Sequence, residues 1–390
     1  MKKLMVLAAV LLMGLTSSAQ EAGIQFNKGA KWSDILAKAQ SEKKLIFMDA
    51  YAVWCGPCKM MDKDVFTQSE IGDFFNKNFI NVKFDMEKGE GLNLAQQYAV
   101  MAYPTFLFID GNGKVMHRVV GYFEPDALLE VGHIALDPAN RLAGLEARFD
   151  AGERDPQFVA GLLSAFENAM HPRSEEVVNI YLAGQSDWSI PENMDLIVNN
   201  LKSTNSKLFD YVVKNHNKFE DTYGKFQMIG LLQGVILNEA FIGVTEMPSL
   251  EEMRAAFFEK VPSPLADKLY LLTKMSFYRM QQDMENYAGA TVEYYQQFPS
   301  NDSQELNEQA WSFFVSVENK AHLKEALKWA QKSVEMDSQY ANNDTLAALY
   351  FKLGDKKNAQ KTAEKAIELA KASGEDYTET EELLKRIKNM

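Results

Sequence analysis

The sequence predicts two architectures in one chain: an α/β domain, with a central mixed sheet and helices on both faces, followed by an all-α helical-repeat region. Three observations carry this expectation. Apolar runs of strand length alternate with helix-length segments only up to about residue 136. Beyond Asp137-Pro138 the strand signals fade and helical periodicity takes over. Near the end of the chain a helical pattern recurs with Ala326 and Ala359 33 residues apart. At 390 residues two or three domains are expected, and 46% apolar with 11% aromatic residues excludes global disorder.

Residues 1–19 have the pattern of an export signal. Lys2 and Lys3 give a positive start, Leu4 to Leu15 is apolar, and Ser17 and Ala19 are the small residues before a cleavage site after Ala19. The apolar run is too short for a membrane span, which takes ~20 residues, so a soluble exported protein without stable membrane insertion is expected. No cysteine lies near the cleavage site to carry a lipid. Cleavage removes two lysines and takes the net charge from −13 to −15. Such a chain gains nothing from counterion release, which excludes nucleic acid and anionic membrane as partners.

In the α/β part, Trp32 to Ser41 is a helix by periodicity. Leu45 to Met48 is a continuous apolar run, the pattern of a strand covered on both faces. Pro57 to about Phe66 is a helix, and Thr67-Gln68-Ser69-Glu70 has capping-box spacing for another that runs through Phe79. Ile80, Val82 and Phe84 alternate with Asn81, Lys83 and Asp85, a strand. Leu92 to Val100 is a short helix. Thr105 to Ile109 and Val115 to Val120 are strands joined through Gly111-Asn112-Gly113, and a last helix starts near Pro125.

The whole cysteine supply of the chain lies in Trp54-Cys55-Gly56-Pro57-Cys58-Lys59. Two thiols one helical turn apart can open and close a disulfide without moving the backbone. Structural zinc usually needs two further ligands, and the five histidines show no paired spacing, so no metal is expected. Cys55 falls where a strand hands over to a helix, where free N–H groups and the helix dipole favour a thiolate. Pro57 suits a first turn, and Gly56 lets another chain approach. Cys58 is placed beneath Cys55, more buried, as the resolving thiol. Asp49, at the end of an apolar strand, is expected to have a raised pKa and to relay protons to Cys58.

The stretch Met48 to Lys59, with an acid six residues before the first cysteine, together with Tyr103-Pro104-Thr105 and Gly121, resembles the thioredoxin family. The longer segment between Lys59 and Leu92 is similar to exported thioredoxin-like domains, including that of the Dsb system. The resemblance implies a thioredoxin fold, a cis Pro104 against the disulfide, and a substrate groove shaped by Trp54, Gly56, Pro57, Tyr103 and Pro104. It implies no cofactor beyond the redox-active Cys55–Cys58 disulfide. Tyr51 and Tyr103 depart from the family's usual tryptophan and smaller aliphatic. Lys83 is the candidate for its lysine beside the buried acid.

After Asp137, helices are expected over 142–149, 158–169, 208–213, 226–236, 250–258 and 266–284. Glu325 to Met336 recurs as Asn358 to Leu369; with Ala347, Tyr350, Leu353-Gly354 and Ala366, the pattern resembles two tetratricopeptide-like units. The expected organisation is therefore a signal peptide (1–19), a thioredoxin-like domain (20–136), a helical region of degenerate repeats (137–305) and tetratricopeptide-like repeats (306–390). The expected function is an exported, periplasmic thiol–disulfide oxidoreductase that reduces protein disulfides and draws electrons from a membrane-linked donor, with a protein partner on the repeats. The alternative is a protein-binding helical scaffold with a redox-inert accessory domain.

Overall fold

The structure is a computed structural model that describes residues 22–390, so the export segment and its cleavage site lie outside the described residues. Contacts divide the chain into a first unit ending at Trp188 and a second spanning Ser189–Met390.

In the first unit the order is α1 (Trp32–Glu42), β1 (Leu45–Tyr51), α2 (Gly56–Met60), α3 (Ser69–Asn78), β2 (Phe79–Asp85), α4 (Glu90–Gln97), β3 (Thr105–Ile109), β4 (Val115–Val120) and α5 (Pro125–Leu136). The strands form one mixed sheet in the order β2-β1-β3-β4. β1 and β2 are parallel; the other two pairs are antiparallel. Alternate side chains of β1 enter opposite cores, because strand side chains switch face at each residue. Ile46 and Met48 pack with Trp32, Leu94 and Leu107 on one side. Phe47 packs with Phe75, Phe106, Phe108 and Leu128 on the other. Both faces are thus covered, which is why the run Leu45 to Met48 is apolar throughout.

Local chemistry shifts several boundaries. The helix expected over Pro57 to Phe66 becomes α2 followed by a π-helical turn, Met61–Val65, in which the Phe66 N–H reaches the Met61 carbonyl at 2.9 Å. The Thr67 hydroxyl donates to the Lys63 carbonyl at 2.8 Å, so it closes the preceding turn rather than capping α3. α4 ends at Gln97, short of Val100, where Ala99 turns to φ 46°. In the β3–β4 loop the Asp110 carboxylate accepts from the Asn112 and Lys114 N–H groups, each at 2.9 Å, while Gly113 takes φ 83°.

The sequence reading set a border at Asp137, yet α6 (Leu142–Asp150), α7 (Pro156–Asn168) and α8 (Ser174–Leu182) belong to the sheet's unit. α6 packs on β4. The Leu142 N–H donates to Nδ1 of His117, a buried β4 residue, at 3.2 Å. Burial and the nearby Arg141 push the His117 pKa down to about 4, so the ring stays neutral and free to accept.

The second unit contains only helices among the described residues, twelve from Pro191–Asn200 to Thr378–Lys388. The helix expected over 266–284 is two, Leu265–Met280 and Met284–Gln297. Gln282 at φ 60° breaks it, and Asp283 caps the second by accepting from the Asn286 N–H at 3.1 Å. In Lys320–Met336 and Lys356–Ser373 the positions 326 and 359, 330 and 363, and 333 and 366, each pair 33 apart, are fully buried alanines or serine. Among the described residues no helix is long and apolar enough to cross a membrane.

Truncation tests the membership of α6 to α8. A chain ending after Leu136 leaves His117 without its donor and uncovers β4. It is expected to unfold at least ~2 kcal/mol more easily in urea than a chain ending after Trp188; equal stabilities would place the border at Asp137.

Candidate active site

The site starts from β1. Six residues after Asp49 the chain reaches Cys55, which is the N-cap of α2 and carries Pro57 in the first turn. Cys55 and Cys58 are joined in a disulfide. The Cys58 N–H donates to Cys55 Sγ at 3.1 Å, the kind of contact that also favours a thiolate there. The sequence placed Cys58 deeper than Cys55, but the two are alike, 2% and 3% exposed. The difference comes from the covering residues: both sulfurs pack with Ala52 beneath Tyr51 and Tyr103.

Around this core the expected groove residues come together. Gly56 and Pro57 are exposed, and nothing lies where a Cβ on Gly56 would stand. Trp54 is 65% exposed; it meets Tyr103 edge-on at 5.9 Å, and its indole N–H donates to Glu87 at 2.8 Å. The Tyr103–Pro104 bond is cis, as expected. Pro104 is buried, and its carbonyl accepts from the Gly121 N–H at 2.9 Å. The Tyr103 hydroxyl is held above its usual pKa by burial and by Glu87 and Asp85, so the mouth is aromatic with an acidic rim.

Asp49 is 1% exposed. The parallel register of β1 and β2 sets it opposite Lys83, whose Nζ stands 2.9 Å from Oδ2. That approach is an ion contact, not an aligned hydrogen bond, and neither carboxylate oxygen has another partner among the described residues. Burial pushes the Asp49 pKa up to about 6, partly offset by Lys83. Lys83 also bonds Asp62, in the π turn after α2, and its ammonium lies over the Tyr51 ring at 4.5 Å. Burial alone would lower the Lys83 pKa, but Asp49 and Asp62 outweigh it and leave it raised.

The sequence analysis missed Asp62 and Glu87. Asp62 had a signal, since it lies four residues after Cys58, one turn along a helix. Glu87 had none, because its role depends on where the β2–α4 loop folds. No cluster of three or more metal-ligating side chains occurs among the described residues.

A thioredoxin-like domain model matches residues 32–133. Thioredoxin H1 of Arabidopsis thaliana is 35% identical over 94 residues, which cover 23% of this chain and 73% of that protein. The thiol:disulfide interchange protein DsbD of Pseudoalteromonas atlantica is 31% identical over 96 residues, 24% of this chain and 16% of that much longer protein. Among solved structures, that of a candidate disulphide-isomerase from Bacteroides thetaiotaomicron is 44% identical and covers 30% of this chain and 98% of its own, with a TM-score of 0.28. The chain belongs to the thioredoxin family.

The buried acid has a measurable signature. Its pKa is raised on folding, so the folded state holds the proton more tightly than the unfolded one. The contribution of this group to stability is therefore fully present below pH ~4 and is lost as pH rises through about 6. Relative to wild type, Asp49→Asn is expected to gain up to ~3 kcal/mol between pH 4 and pH 8 in urea denaturation, with Lys83 still held by Asp62. A pH-independent difference would mean that the carboxyl is not held in this state.

Proposed function

We propose that the protein is an exported thiol–disulfide oxidoreductase that reduces protein disulfides through a mixed disulfide. One observation carries this: a Cys-Gly-Pro-Cys pair at the N-terminus of the helix that follows the strand burying Asp49. The Cys55 thiolate attacks a substrate sulfur; a Cys55–substrate disulfide forms and the substrate's other sulfur leaves as a thiolate, to be protonated. Asp49 takes the Cys58 proton, and the Cys58 thiolate attacks Cys55, expelling the second substrate thiolate. The substrate gains two electrons and the Cys55–Cys58 disulfide forms. A carboxyl with a pKa of about 6 suits this transfer near neutral pH. Trp54, Gly56, Pro57, Tyr103 and Pro104 are the surface that receives the substrate chain.

The cycle needs no cofactor beyond the cysteine pair and no metal. It does need a dithiol donor; in a periplasm that donor is membrane-linked. The export pattern of residues 1–19 supports this compartment, and the similarity to a thiol:disulfide interchange protein supports the exchange chemistry. In this reading residues 306–390 are tetratricopeptide-like repeats that dock a protein partner. A second reading, a helical scaffold with a redox-inert accessory domain, draws on the 33-residue spacing of buried positions in the second unit.

Equilibration in glutathione or dithiothreitol buffers is expected to give a potential near the ~−270 mV of reducing thioredoxins; a value near ~−120 mV would reverse the direction. In an insulin-reduction assay Cys55→Ser is expected to abolish turnover and Cys58→Ser to trap a mixed disulfide. Asp49→Asn is expected to slow turnover at least ~10-fold at pH 7. Absence of any reversible exchange would leave the scaffold reading.

A further inference from the structure

The second unit holds a cleft with a volume of about 260 Å³ that the redox chemistry does not use. Its wall on helix Lys225–Ala240 is one stripe, Phe226, Ile229 and Gln233. On helix Leu265–Met280 it is another, Leu272, Met275 and Arg279. Residues spaced by three or four positions share a helix face, so both helices turn one side to the gap. Tyr287 and Tyr294, from helix Met284–Gln297, and Gln309 also line it.

Two polar groups of this mixed lining have no partner among the described residues. Tyr294 is 1% exposed, and its hydroxyl makes no hydrogen bond. Arg279 is exposed at the mouth and makes no ion pair or hydrogen bond. The acids nearby are already engaged. Glu305 takes Lys225 Nζ at 2.7 Å on both oxygens and also Tyr295 and Ser300. Glu293 takes Lys274 at 2.8 Å. A guanidinium presents a planar fork that matches a carboxylate, and a buried hydroxyl is costly unless it is bonded. The cleft is smaller than the ~300–1,000 Å³ of drug-sized sites, a fit for a single ring with a short chain.

We propose that this cleft binds an aromatic carboxylate, its ring between Phe226, Tyr287 and Tyr294 and its acid group on Arg279. The Tyr294 hydroxyl and the free amide oxygens of Gln233 and Gln309 take what polar atoms the ring or its chain carries. Such a ligand is either a free aryl acid or the C-terminal aromatic residue of a peptide; both present the same chemistry.

Calorimetric titration of the full chain tests this. The probes are 3-phenylpropionate and its amide, and N-acetyl-Gly-Ser-Gly-Phe as free acid and as amide. Each acid is expected to bind saturably, at one site, and at least tenfold more tightly than its amide. Arg279→Gln should cost the acids about tenfold and leave the amides unchanged; Tyr294→Phe should weaken both a few-fold with an unchanged circular dichroism spectrum. The tighter of the two acids identifies the source. Equal binding of acid and amide, indifference of the acids to Arg279→Gln, or no saturation at millimolar probe would overturn the proposal. Redox turnover does not enter the readout, so failure here leaves the oxidoreductase reading intact, and the reverse.

Discussion

The first unit is organised by a carboxylate that water cannot reach. Asp49 lies between Met48 and Ala50, both fully buried, in a strand covered on both faces. A charge there must be paired or neutralised. The parallel register of β1 and β2 supplies Lys83, but a half-buried ammonium is costly for the same reason, and it is shared with Asp62. Asp62 follows directly on the helix that carries Cys58. The lysine therefore ties both the segment that follows the Cys58 helix and the acid of β1 to β2. Strand register, cysteine helix and buried acid are one connected arrangement, and shifting β2 by one residue would dissolve it.

The disulfide has its own covering. Cys55 and Cys58 pack with Ala52, Tyr51 and Tyr103 and are almost closed off, and the large exposed side chain beside them is Trp54. The Trp54 indole is held by Glu87 and edged by Tyr103, which fixes an exposed aromatic surface beside the cysteine pair. A tyrosine before the cis proline, in place of a smaller aliphatic, adds to that surface and brings its hydroxyl toward the acidic β2–α4 loop.

Sheet, hairpin and cysteine helix were legible because each has a local signal: uninterrupted apolar residues for a two-sided strand, alternation for β2, and proline at the second position of a helix. The acid and the proline were legible through their spacing from the cysteines. The sequence could not supply register or covering. Lys83 was a candidate only, since its pairing needs the parallel alignment of strands separated by two helices and a π turn. The equal burial of Cys55 and Cys58 depends on Tyr103, which is 45 residues further on. α6 to α8 were assigned to the later part because their periodicity is helical; that α6 and α7 pack on β4, and α8 on α7, is a tertiary fact, fastened at the His117–Leu142 bond.

The second unit shows how regularity and binding divide within one helical array. Where the 33-residue period holds, small residues recur at the same places, alanine against alanine with one serine, and helices approach closely without leaving large gaps. Between residues 225 and 309 the period is lost, and the cleft is lined by side chains as different as Phe226, Ile229, Gln233, Met275 and Tyr294. Side chains of such unequal size do not interdigitate fully, and the remaining space is the cleft. Loss of the repeat at these positions costs packing. It is also what leaves a tyrosine hydroxyl and an arginine without partners, because a fully repeating interior offers no position where a polar group could face a void. The irregular segment is for that reason where a ligand is to be sought, and the alanine-lined repeats are the frame that holds it.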